Sequence, residues 1–92
     1  MHKIEWSLPA IGDLRSAAQY IADDNVEAAM RMADLVQVAV AYLAEHPNIG
    51  RAGRFEGTRE LVVSGTPFVV VYRVREGGIQ VLRVLHHARR WP

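Results

Sequence analysis

Cysteine is absent from the 92-residue sequence, which excludes a disulfide framework and a thiolate zinc site and is compatible with a reducing compartment. Long apolar runs are also absent. The longest, Val38 to Ala44, falls far short of the roughly 20 residues that span a bilayer. The opening segment MHKIEWSLPA has no apolar stretch of signal-peptide length and includes acidic Glu5. The expectation is a soluble cytoplasmic protein. No repeat, low-complexity tract or linker-like segment divides the chain, so residues 1–92 are expected to form one domain around one core. A domain of this size buries only about 60–65% of its unfolded surface, so a partner that wraps it matters thermodynamically.

Lysine occurs once, as Lys3. The overall charge of +1 conceals an asymmetry between the two halves. Residues 1–46 set Lys3, Arg15 and Arg31 against seven acids, a net of −4. Residues 47–92 set eight arginines against Glu56, Glu60 and Glu76, a net of +5. A basic half built on arginine alone favours planar, bidentate contacts to phosphate or carboxylate. That chemistry suits a nucleic acid or an acidic protein partner. The plain alternative is a set of arginines coating a solvated sheet face.

Patterning along the chain gives an α+β fold. His2 to Trp6 reads as a short strand, and Ser7 before Leu8-Pro9 as a helix cap with proline in the first turn. Ile11, Leu14, Ala18 and Ile21 make one apolar helical stripe. Asp24-Asn25 interrupts it and caps a second helix, where Val26, Ala29, Ala33, Val36, Val40 and Leu43 repeat at three and four, widened by Met32, Leu35, Ala39 and Tyr42. A link this short makes the helices an antiparallel hairpin, and His46-Pro47-Asn48-Ile49-Gly50 ends it. The period then falls to two. Segments 59–63, 68–74 and 79–86 read as a three-stranded antiparallel meander with turns at Ser64 to Pro67 and Arg75 to Gly78. The middle segment is apolar on both faces and belongs at the centre. One sheet with the helices on one face is the predicted architecture.

Several segments carry a family resemblance. Glu45 to Arg51, Gly57 to Val63, Val70-Val71-Tyr72-Arg73-Val74, and the tail from Ile79 through Arg83-Val84-Leu85-His86 to Ala88-Arg89-Arg90-Trp91-Pro92 resemble the RelE/ParE toxin superfamily. The match covers nearly the whole chain in order. It implies the toxin of a type II toxin–antitoxin module, without cofactor, neutralised by a cognate antitoxin. That antitoxin, acidic and partly disordered, would wrap the toxin in a tight heteromeric complex, either one-to-one or of higher order. The superfamily divides between RelE-like enzymes that cut ribosome-bound mRNA and ParE-like inhibitors of DNA gyrase. RNA cleavage through the 2′-hydroxyl needs a base, an acid for the leaving oxygen and positive charge on the phosphate. The cutters assemble these from Arg and Lys with a near-terminal Tyr, or from Glu, Arg and a His-Tyr pair. Here Ala88 follows His87, no lysine occurs after Lys3, and the chain ends in Trp91-Pro92. An endonuclease would have to use Glu60 or His86 as base, His87 as acid, and Arg59, Arg83 and Arg89 as phosphate clamps. The terminal segment looks closer to ParE-like chains, so a non-catalytic gyrase inhibitor is the favoured reading and the mRNA endonuclease the alternative. A degenerate toxin that only sequesters an antitoxin is a third.

On the favoured reading the target-contact residues are Arg59, Arg73, Arg83, His87, Arg89, Arg90 and Trp91. Arg59, Arg73 and Arg83 would form one basic stripe if the turns place them on one face. His86 is expected on the face of Gln80, Leu82 and Val84, half-buried, with His87 pointing the other way. Tyr72 and Trp6 read as core. Trp91 beside Arg89-Arg90 resembles an interaction hot spot, against the plainer option of a tail capping the sheet. His2 and His46 have no ligand-spaced partners, so no metal site is expected.

Overall fold

The computed structural model describes residues 2–87. Its elements are β1 (Lys3–Trp6), α1 (Leu8–Ala22), α2 (Val26–Leu43), β2 (Arg51–Ala52), β3 (Arg59–Val62), β4 (Phe68–Arg75) and β5 (Gly78–His86). α1 begins where Ser7, in extended conformation, accepts the Ala10 N–H on its Oγ at 3.1 Å, with Pro9 in the first turn. The same hydroxyl donates to the Leu82 carbonyl at 2.9 Å, so the cap also fastens the helix to β5. Asn25 caps α2 through its Oδ1, which accepts the Ala28 N–H at 3.0 Å. Only Asp23 to Asn25 separate the two helices, which form the expected hairpin.

The strands make one sheet in the order β1-β5-β4-β3-β2. β4 takes the centre, where both of its faces are sealed. Val69 and Val71 are as buried as Val70 and Tyr72 on the other side. α1 and α2 cover one face, where Ala10, Met32, Val36, Val40 and Leu43 meet Phe68, Val70, Tyr72, Ile79, Val81 and Val84. The class is α+β, as expected. The expected Trp6 packs against this core but is only half-buried.

Two details differ from the sequence reading. The sheet has five strands and is mixed, because β1 runs parallel to β5 and a two-residue β2 pairs Arg51 with Glu60 and Ala52 with Arg59. Two residues are too few to display an alternation. In α2, Val26 and Tyr42 belong to the predicted stripe but are 61% and 50% exposed. The helix is apolar on two flanks, and only one can face the sheet.

Candidate target-contact site

The arginines of the second half divide between the faces of the sheet. In β3, Arg59 is paired with Tyr72 and Glu60 with Val71. Because successive side chains alternate, Arg59 shares the helix-covered side with Tyr72, while Glu60, Val71 and Arg73 lie on alternate positions. The expected stripe of Arg59, Arg73 and Arg83 therefore does not form. Arg59 instead donates through Nη1 to the carbonyls of Gly50 at 2.8 Å and Asn48 at 3.2 Å. The buried Tyr72 hydroxyl completes that anchor, donating to the Pro47 carbonyl and accepting the Gly50 N–H, each at 2.9 Å. Gly50 has no side chain for a reason. A Cβ there would fall 2.6 Å from the tyrosine oxygen. Burial raises the Tyr72 phenol above its ordinary range, with the Gly50 hydrogen bond and nearby Arg59 opposing the shift.

Arg83 is held by a contact that spans the chain. The β4–β5 register passes from Val71↔Arg83 to Tyr72↔Val81, leaving Leu82 as an extra residue. This bulge inverts the alternation within β5. Val84 and His86 join Ile79 and Val81 on the helix side, and Gln80 falls on the other, so the expected grouping of Gln80 with Val84 and His86 fails. β1 pairs with β5 only as far as Val81. Beyond that point Asp13 of α1 takes over. Its Oδ2 accepts the Val84 N–H at 3.0 Å and Arg83 Nε at 2.7 Å, and its Oδ1 accepts Arg83 Nη2 at 2.9 Å. Hydrogen bonding to Asp13, ahead of all other causes, raises the Arg83 pKa. Asp13 carried no functional signal in the sequence, because its partners lie 70 and 71 positions away.

Of the candidate acid–base residues, Glu60 stands apart from the two histidines. Glu60 is 4% exposed, and its Oε2 accepts both the backbone N–H of Arg54 at 3.0 Å and its Nε at 3.2 Å. Arg51 Nη2 approaches Oε1 at 3.6 Å. Its carboxylate is thereby paired with Arg51 of β2 and with Arg54 of the loop between β2 and β3. His86 sits on the helix side, edge-on to Phe68 at 5.7 Å between centroids. It lies two strands and three residues from Glu60, about 14 Å by strand geometry. His87 is exposed, with its ring stacked on that of His86 at 5.3 Å and its N–H donating to Pro67 at 2.9 Å. On the other face Arg73 Nε donates to Gln80 Oε1 at 2.7 Å. Arg89, Arg90 and Trp91 lie outside the described residues.

Between α1 and the end of β5 opens a groove of about 540 Å³, lined by residues that include Asp13, Tyr20, Phe68, Arg83 and His86. Tyr20 at its lip is 79% exposed. Among the described residues no three His, Asp or Glu side chains are grouped to hold a metal ion. None of their helices is long and apolar enough to cross a membrane.

Comparison with known proteins places these features in context. A family model described as the ParE toxin of the type II toxin–antitoxin system parDE matches residues 4–91. The Y4kP protein of Sinorhizobium fredii is 38% identical over 90 residues, spanning 98% of this chain and 93% of that one. Toxin RelE2 of Caulobacter vibrioides is 37% identical over 89 residues, spanning 97% and 99%. Among solved structures, a chain of the chromosomal ParDE system of P. aeruginosa superposes with a TM-score of 0.83 at 26% identity, covering 94% of this chain and 96% of that one. A chain of the E. coli DinJ–YafQ toxin–antitoxin complex gives 0.64 at 17%, covering 95% and 93%, a likeness of fold.

Proposed function

Because the chain belongs to the ParE toxin family of type II toxin–antitoxin systems, we propose that it arrests replication by binding DNA gyrase in the cytoplasm and is neutralised by a cognate antitoxin. The observation that supports this reading over RNA cleavage with Glu60 as base is the state of that carboxylate. A general base must be available to the 2′-hydroxyl, and Glu60 is buried, bound to Arg54 and Arg51 and set on the face opposite His86. An inhibitor that works by contact needs none of these groups to converge. It needs exposed polar and aromatic anchors. Exposed His87 and half-buried Arg73 are proposed to supply part of that surface, and Arg89, Arg90 and Trp91 the rest. Arg59 and Arg83 serve it indirectly, by holding the loop before β2 and the end of β5. The antitoxin partner is supported by the complexes in which the structural neighbours occur.

The second reading, a RelE-like mRNA endonuclease, is favoured by the 37% identity to Toxin RelE2. Two variants separate the readings, the first in a growth-arrest assay and the second in a supercoiling assay. His87→Ala removes one contact among several and should leave much of an inhibitor's toxicity, but should lower the rate of an endonuclease that uses it as acid by about 10²- to 10⁴-fold. Deleting residues 89–92 should abolish inhibition of supercoiling by purified gyrase. Full inhibition after that deletion would remove the tail from the contact site.

A further inference from the structure

The solvent flank of α2 carries a second apolar row. Val26, Met30, Val38 and Tyr42 are 61, 62, 67 and 50% exposed, and with Asp34 between them they occupy every fourth position along one ridge. A shallow groove beside it is lined by Glu27, Met30, Arg31, Asp34, Leu35 and Val38. Arg31 and Asp34 form no ion pair among the described residues. A large exposed apolar row with unpaired charges at its middle is the signature of a contact surface.

We propose that this flank of α2 joins two copies of the chain, their helices crossing antiparallel about a two-fold axis beside Asp34. The ridge is symmetric about that residue. Met30 and Val38 lie four positions to either side and Val26 and Tyr42 eight, so the two-fold sets Met30 of one copy against Val38 of the other, and the reverse. This is the self-complementarity an isologous interface requires. Ridges of every-fourth residues pack into each other at about 50°, the commonest helix crossing. The central residues then meet and the ends diverge. The same crossing brings Arg31 of each copy to Asp34 of the other, making two reciprocal ion pairs that offset the repulsion of the aspartates at the axis. Antiparallel dipoles add to the attraction. A single helix crossing covers less than the roughly 1,200 Å² of a stable complex, so the dimer forms only as concentration rises.

Sedimentation of the full chain over a range of concentrations tests this directly. A monomer–dimer equilibrium is expected, weakened at least tenfold by either Met30→Glu or Val38→Glu. Both positions face solvent, so the melting temperature of the monomer should hardly move. Arg31→Asp and Asp34→Arg should each weaken the dimer, and the double swap should restore it, which a non-specific apolar patch would not do. A chain monomeric at every concentration overturns the proposal. So does a dimer indifferent to Met30→Glu, or a double swap no better than its parents. A chain monomeric alone but losing antitoxin on Met30→Glu would assign the flank to the heteromer and equally overturn it.

Discussion

Tyr72 shows how one polar atom in a core ties distant segments together. Its hydroxyl fills both hydrogen-bond roles toward Pro47 and Gly50, so Tyr72→Phe strands a buried N–H and a carbonyl at a cost of about 1–3 kcal/mol. Urea melts at neutral pH measure that loss. The same side chain predicts an alkaline limb. Its pKa is raised in the fold, so the unfolded chain ionises first. The stability this group contributes is complete below its ordinary value near 10 and is lost as pH rises through the raised one. Tyr72→Phe should flatten that part of the pH profile while lowering stability elsewhere. Asp13 is the second such residue. Asp13→Ala leaves the Val84 N–H without its acceptor and Arg83 without its forked partner, with an expected loss of about 2–4 kcal/mol. A loss under half a kcal/mol would mean that water replaces the carboxylate.

Elements stand or fall by their ends. Asn25→Ala removes one capping bond at an exposed helix start and should cost about 1 kcal/mol. Ser7→Ala removes the cap and the bond to Leu82 together, and should cost about 2 kcal/mol by the same accounting. Equal losses at the two sites would show that the tie to β5 contributes nothing. Both caps were legible in the sequence, because short oxygen-bearing side chains before an apolar stripe have one dominant local use. The core of α2 and the central place of β4 were legible for the same reason, since periodicity reports which face is apolar. Three things were not. β2 is too short to have a period. The Leu82 bulge shifts the parity of β5 without any change in composition, so the basic stripe read across Arg59, Arg73 and Arg83 dissolved. The exposure of Val26 and Tyr42 follows from a choice between two apolar flanks of α2, which depends on what packs against the helix.

At the scale of the whole molecule, the acidic first half and the basic second half do not remain separate surfaces. Asp13 is drawn onto Arg83 across the helix–sheet boundary, and Arg51 and Arg54 close on Glu60 within the basic half itself. Much of the charge that suggested a phosphate clamp holds the fold together. The residues proposed to meet the target are then Arg73 on β4 and those at the open end of β5 and in the segment that follows it, which is why local pattern indicated the family but not the partner. Pulse labelling of DNA and protein synthesis within minutes of inducing the chain without an antitoxin distinguishes the two modes of arrest. A toxin that binds gyrase should halt DNA synthesis first, with protein synthesis continuing. Protein synthesis stopping first would contradict that reading and return Glu60, His86 and His87 to the role of catalytic candidates.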